Sequence, residues 1–381
     1  MSASDSGLRT RDSGLFAQLR QLPAPVWVLF GGTFVNRFGT FVMPFLALYL
    51  TRRGFSTAQA GIAISTYGLG HLLASMIGGH LADRIARRNT IALSMFSSAA
   101  TMLALSQATS YAVILIVTFL AGTAAEMYRP ASLALIGDLV QPEHRIVAFS
   151  MYRFAVNLGM AAGPATAGFL ADRSYFLVFA GDAVTSAAYG VIALAALPHG
   201  LRTYTKEERI GDATRVAIRD RAFMKYIVAT VLLTIIDFQC LSTLPLYVHD
   251  LGHPNHVFGM LLSLNGLLII CFELALTVIV RRFDILHAIA TGYLLVGIGF
   301  AVNSVARGVP ALAVSVAIWT VGEMISSPLG GTYVTMIAPE KYRGRYMGLW
   351  SMSWAVGMVA GPPSARSSTP TAGPPCGWRA A

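Results

Sequence analysis

Apolar runs of nearly uniform length, separated by short polar clusters, set the rhythm of this chain. Residues 60–79, AGIAISTYGLGHLLASMIGG, carry no formal charge at neutral pH. At 1.5 Å rise per residue, about 20 such residues cross roughly 30 Å of hydrocarbon as a helix. Runs of this kind predict helices over 26–50, 57–79, 90–108, 111–137, 147–171, 175–197, 223–249, 257–280, 285–306 and 311–337, with another starting at 346. The polar segment 198–222 interrupts them and leaves six spans before it and five after. This pattern reads as an all-α polytopic membrane protein. Residues 1–25 form a polar tail, 26–197 a first transmembrane bundle of six helices, 198–222 a central loop and 223–363 a second bundle.

Composition agrees and charge adds orientation. Hydrophobic residues make up 55% of the chain and charged residues only 12%, with a mean hydropathy of +0.61, which is too apolar for a soluble globule of this size. The formal net charge of +10 reads as topogenic charge in loops and not as a nucleic-acid surface. With the N-terminus inside, nineteen Lys and Arg residues fall on the cytoplasmic side and four on the other. The positive-inside rule therefore predicts a multi-pass protein of the plasma (inner) membrane with a cytoplasmic N-terminus. The N-terminal segment lacks a small-residue cleavage site and reads as a tail, not a cleaved signal.

The two bundles are related in sequence. At one offset of 198 residues Tyr49 matches Tyr247, Gly54 matches Gly252, Gly61 matches Gly259, Gly68 matches Gly266 and Arg145 matches Arg343, while GMAAGP at 159–164 matches GMVAGP at 357–362. Such a repeat predicts two parallel bundles about an axis along the membrane normal.

Between the second and third spans stand Gly79, Leu81, Asp83, Arg84, Ala86, Arg87 and Arg88. This loop resembles the Gly-x-Leu-x-Asp-Arg-x-Gly-Arg-Arg motif of the major facilitator superfamily, with Ala86 in place of the usual glycine. The resemblance covers about 26–363. It implies two six-helix bundles working by alternating access, and a latch in which Asp83 faces the start of the eleventh span near Arg345 and Gly348. The rival reading of Arg84, Arg87 and Arg88 is simple positive-inside anchorage. NLGMAAGPATAG, 157–168, resembles the glycine-rich motif of the drug/proton antiporter branch. Gly159 and Gly163 would allow close helix approach and Pro164 would bend the helix, although recurrence of the string in the second half also fits plain packing. In that branch an arginine stands four residues before a glycine of span four; if that glycine is Gly122, Thr118 occupies the place.

Ionisable groups inside spans are costly unless paired or wetted, which makes each a candidate for coupling or substrate binding. Glu126 and Arg129, three apart, would pair on one helical face, either around a proton carried by Glu126 or as a static staple. Asn36 and Arg37 lie in span one, Asp237 in span seven, Glu273 in span eight and Glu323 in span ten. Asp237 has the alternative role of capping a broken helix, and Arg153 that of snorkelling to the interface.

Cys240, Cys271 and Cys376 are isolated and suggest neither a disulfide framework nor a metal site. No Walker A sequence or metalloprotease helix occurs, so neither an ATP-driven pump nor an intramembrane enzyme is supported. Residues 364–381, rich in Ser, Pro and Ala, cannot form a spanning helix, and the expectation is that a truncation or frameshift has replaced the end of the second bundle. The reading is a secondary active transporter, a monomer in the lipid bilayer with no cofactor. It would use a proton gradient to export small amphiphilic, drug-like molecules. A proton-coupled importer of a nutrient or peptide-like solute, and a truncated non-transporting paralogue, are the alternatives.

Overall fold

The structure is a computed structural model that describes residues 19–141, 144–199, 216–280, 282–339 and 343–364. Span one consists of α1 (Ala24–Phe38) and α2 (Val42–Arg52). Spans two and three are α3 (Thr57–Ile85) and α4 (Arg87–Gln107). Span four is α5 (Tyr111–Glu126) followed by α6 (Tyr128–Leu139). Spans five and six are α7 (Arg145–Arg173) and α8 (Tyr175–Ala196). Span seven joins α9 (Arg221–Asp237), a 3₁₀ turn (Phe238–Leu241) and α10 (Thr243–Asp250). Spans eight to eleven are α11 (Asn255–Val280), α12 (Ile285–Asn303), α13 (Val309–Ile337) and α14 (Arg343–Ser364). Ten segments among the described residues are long and apolar enough to cross a membrane by length and composition. Residues 365–381, where the sequence suggests an aberrant tail, and most of the central loop lie outside the described residues.

Local signals explain the ends of these helices. Ser56 and Gln59 form a reciprocal capping box at the start of α3, with Gln59 N–H on Ser56 Oγ at 3.2 Å and Ser56 N–H on Gln59 Oε1 at 2.8 Å. The Asp220 carboxylate accepts the first free N–H groups of α9 and Asp284 those of α12. Gly54 and Gly252 leave spans one and seven at φ +88° and +82°, a conformation that suits glycine. The repeat pairs these same two residues. Tyr49 and Tyr247, paired likewise, both donate their hydroxyls to the backbone at the end of a neighbouring span, Ser106 O and Ala306 O.

The bundles meet along α7 with α11 and along α3 with α14. A Cβ on Gly266 would strike Ala161 and one on Gly68 would strike Met358, so the interface carries the same pseudo-twofold relation as the sequence. Among the described residues three apolar clusters fill the interior. On the face bearing loops 53–56, 174 and 251–254, one cluster joins both bundles and includes Phe45, Leu50, Ile64, Ala167, Phe258 and Met358. On the face bearing residues 140–141, 144 and 282–284 there are two. Leu29, Met95, Leu135, Ala148 and Tyr189 belong to the first bundle, and Phe223, Ile289, Val334 and Tyr346 to the second. The molecule is thus sealed on one face and divided on the other.

Candidate functional site

Spans one, four and seven, each read from sequence as one apolar run with a broken helix at Asp237 as an alternative, are all interrupted beside an ionisable residue. Arg37 occupies the last turn of α1, Glu126 ends α5 and Asp237 ends α9. Broken helices at membrane depth are tolerated where the freed backbone groups line a cavity or meet polar side chains.

In the first bundle, Arg37 grips Glu126 with both guanidinium arms, Nη1 to Oε1 at 2.8 Å and Nη2 to Oε2 at 3.0 Å. The guanidinium also lies 5.5 Å from the centroid of the Tyr128 ring. The expected Glu126–Arg129 pair is therefore replaced. Ser94 interrupts the helix ladder at Met127, where its hydroxyl accepts the Tyr128 N–H at 3.0 Å and donates to Ala124 O, while Met127 keeps helical φ/ψ; Glu126 is buried with Arg37 and Arg129 is exposed. Asn36, Arg37, Thr40, Tyr67, Ser98 and Glu126 line a small cavity with room for about one water molecule. Asp182 in α8 closes its far wall, accepting the N–H groups of Phe41 at 3.1 Å and Val42 at 3.2 Å. It lies in an otherwise uncharged span, and the rule applied to the other intramembrane charges would have found it.

In the second bundle the carboxyls of Asp237 and Glu323 face each other. Asn265 donates to Glu323 Oε2 at 2.8 Å and to Thr320 Oγ1 at 3.0 Å. Asp237 makes no cap bond to the turn that follows it. Asn265 carries no charge, so nothing in the apolar run of span eight signals it. Each bundle thus holds one polar centre where helices break or meet, and the structure does not bring the two centres together.

The glycine-rich motif packs span five onto span one. A Cβ on Gly159 would stand 2.7 Å from Arg37 Cβ, and one on Gly163 would strike Phe38 O. Gly357 and Gly361 do the same for span eleven against Thr234 and Phe238 of span seven. Close approach is therefore the shared role of these glycines, and α7 runs unbroken through Pro164. Thr118 is fully buried and its hydroxyl has no partner among the described residues.

The second-to-third-span motif holds the first bundle together. The Arg87 guanidinium reaches Asp138 Oδ2 at 3.3 Å and Ala82 O at 2.9 Å, and Arg88 meets His199 at 2.6 Å. Arg84 is exposed and Gly79 faces open space. The side chains of Asp83 and Arg345, the proposed latch, lie outside the described residues. Ala86 stands at φ 77°, ψ 155°, which explains why the resembled motif has glycine there. A latch of the same physical kind does occur on the sealed face. Asp172, ending span five, accepts the N–H groups of Asn255 at 2.8 Å and His256 at 3.2 Å and contacts His256 Nδ1 at 2.6 Å, at the start of span eight. In the opposite half of the same helices Arg153 pairs with Glu273 at 3.1 Å, a partner the snorkelling expectation did not include.

The Major Facilitator Superfamily model matches residues 29–362. The chain belongs to this superfamily. It is a multi-pass membrane secondary transporter and not an enzyme. Among its relatives, the uncharacterised MFS-type transporter YqjV of Bacillus subtilis is 28% identical over 345 residues, 88% of this chain and 84% of that one. The Na(+), Li(+), K(+)/H(+) antiporter of Planococcus maritimus is 24% identical over 376 residues, 88% and 87% of the two chains. The multidrug resistance protein MdtH of Shigella sonnei is 24% identical over 326 residues, 84% and 80%. Of solved folds, a mutant peptide transporter POT gives a TM-score of 0.78 at 20% identity over 91% of this chain and 89% of its own. A bacterial homologue of the lysosomal transporter Spinster, inward-facing and unoccupied, gives 0.74 at 14% identity, over 89% and 80%. These likenesses establish the fold of this facilitator.

Proposed function

We propose that this transporter exports small amphiphilic molecules against their gradient in exchange for protons, as a monomer in the plasma membrane with its N-terminus in the cytoplasm. The observation that carries the reading is the single apolar seal on one face opposite two separated clusters on the other, with a buried polar centre in each bundle between them. The excess of Lys and Arg lies on the divided face, so the positive-inside rule makes this the inward-facing state. Asp237 and Glu323 supply proton chemistry. Two carboxyls in contact share one proton at lower cost than they hold two charges, and a change in wetting alters that balance. The antiporter relatives support exchange, and MdtH supports a drug-like substrate.

A second reading, exchange of a monovalent cation for protons, is favoured by the same Asp237–Glu323–Asn265 cluster, whose oxygens suit a hard cation. Proteoliposomes separate the readings. With acid inside, an antiporter accumulates a fluorescent cationic amphiphile from outside, and a protonophore abolishes it. Uptake driven only by acid outside indicates import. Accumulation of sodium or potassium with no amphiphile uptake selects the cation reading, and indifference to both gradients refutes proton coupling.

A further inference from the structure

We infer that Asp182 is the proton-binding carboxyl of the first bundle and that its proton acts on the break in span one. The inference rests on the proton-coupled reading above and adds a site to it.

The two acids around the small cavity stand in opposite conditions. Glu126 is held by both arms of Arg37, so its negative charge is neutralised at close range and protonating it would strand the guanidinium. Asp182 is equally buried, 4% exposed, and it has no cationic partner among the described residues. Its contacts are the two N–H groups of Phe41 and Val42 and the hydroxyl of Ser186 one turn along its own helix. The charged or titratable side chains that share its cavity are Arg37 from span one, Tyr67 from span two and Glu126 from span four. Span three contributes Ser98 and Met102, and Arg37 is already committed to Glu126. A buried carboxyl without a cation is the group whose charge is least costly to remove. The cavity has room for about one water molecule beside the carboxyl.

The proton has a mechanical consequence. Phe41 is the N-cap of α2 and Val42 its first residue; neither N–H has a partner within the helix, and that of Phe41 also reaches Gly39 O at 2.7 Å. The Asp182 carboxylate satisfies both and opposes the positive end of α2. From Val42 to Leu50 every residue of α2 is buried, and this stretch belongs to the cluster that seals both bundles on one face. α1 belongs instead to the separate core of the first bundle, through Val26, Leu29 and Phe30. The break at residues 39–41 is therefore the joint between seal and bundle, and Asp182 is its clasp. Binding a proton turns a charge-assisted acceptor into a neutral one and loosens the clasp.

Two measurements on the full chain test this. Dicyclohexylcarbodiimide, an apolar reagent that adds to protonated carboxyls, followed by peptide mass spectrometry on wild-type protein, should label Asp182 increasingly as pH falls and leave Glu126 unlabelled. Label on Glu126 with none on Asp182 overturns the assignment. Hydrogen–deuterium exchange of the peptide spanning Gly39–Met43, corrected for intrinsic rate, should quicken by about tenfold between alkaline and mildly acidic pH. In Asp182→Asn it should stay at the fast value throughout, and pH dependence surviving in that variant refutes the clasp. Because the labelling needs no variant, poor accumulation of Asp182→Asn leaves the proposal exposed to refutation. Asp182 protonation without proton exchange in transport would remove the coupling reading alone. Proton-coupled transport with Asp182 never protonated would remove this inference alone.

Discussion

Replacing Glu126 with Gln tests the first polar centre directly. The two side chains are 7% and 13% exposed and meet through two contacts of 2.8 and 3.0 Å. Glu126→Gln keeps the shape and leaves a buried guanidinium with one amide oxygen and the face of Tyr128. Breaking a buried pair by removing one partner costs about 3–5 kcal/mol, whereas removing both charges is often close to neutral. Set against a typical net stability of about 5–15 kcal/mol, the single change should lower folded yield and shift the thermal midpoint strongly. Arg37→Gln should do the same. The double variant should cost less than either single one, measured by fluorescence-detected size exclusion after graded heating in detergent. Arg129→Gln supplies the control: an exposed arginine outside the pair should change stability by less than about 0.5 kcal/mol and should not rescue Glu126→Gln. A double Arg37→Gln, Glu126→Gln variant less stable than both singles, or rescue by Arg129→Gln, would refute the pairing.

Ala86→Gly should raise the thermal midpoint, because the residue leaves a backbone region that costs a side chain about 1–3 kcal/mol; an unchanged or lower midpoint contradicts the strain. Gly159→Ala and Gly357→Ala should both destabilise, since each new Cβ meets backbone or a β-carbon across a helix contact, by about 1–3 kcal/mol; tolerance of either argues that the spans separate freely there. At the exposed start of α12, N–H groups of His287 and its ring, with that of Leu286, hold Asp284 below the usual carboxylate range. A depressed carboxyl stabilises above its unfolded value and loses that effect as pH falls through the folded one. Amide protection in the first turn of α12 should therefore persist at neutral pH, decline only in acid, and lose this dependence in Asp284→Asn.

What could be read from sequence follows from how each feature is written in the chain. The all-helical polytopic fold and the repeat are carried by runs of about 20 residues and by glycines, although eleven spans were read where ten segments among the described residues are long and apolar enough to cross; the positive φ of both Gly54 and Gly252 shows that the repeat register is a structural one. The breaks at 39–41, 127 and 238–242 lie within apolar stretches whose hydropathy is no different from that of an unbroken helix. Pro44 and Pro245 mark the restarted helices in spans one and seven, yet Pro164 and Pro328 sit inside continuous ones, so proline alone does not locate a break. Partner choice was the least visible. Glu126 and Arg129 are near in sequence, and spacing favoured them, while Arg37 arrives from 89 residues away through the packing of span one. Asp138 and Asp172, which answer Arg87 and the start of span eight, were likewise set by tertiary neighbours.

The positions of the breaks bear on how the two faces exchange. A rigid span carries a displacement from one membrane face to the other, so sealing one face would open the other only by rotating whole bundles. A span interrupted at mid-depth can move its halves unequally. Spans one and seven break at corresponding places, and in each a glycine pair from the neighbouring span, Gly159 with Gly163 and Gly357 with Gly361, presses against the break. The half on the sealed side, α2 or α10, packs into the common cluster through Phe45, Leu50, Leu244 and Val248. The half on the divided side, α1 or α9, stays with its own bundle through Leu29 or Phe223. Ionisable groups, Arg37 with Glu126 and Asp182 in one and Asp237 with Glu323 in the other, therefore sit at the joints between seal and bundle. On the proposed proton coupling, the charged groups would act on opening through the breaks in spans one and seven, with no contact between the two centres required.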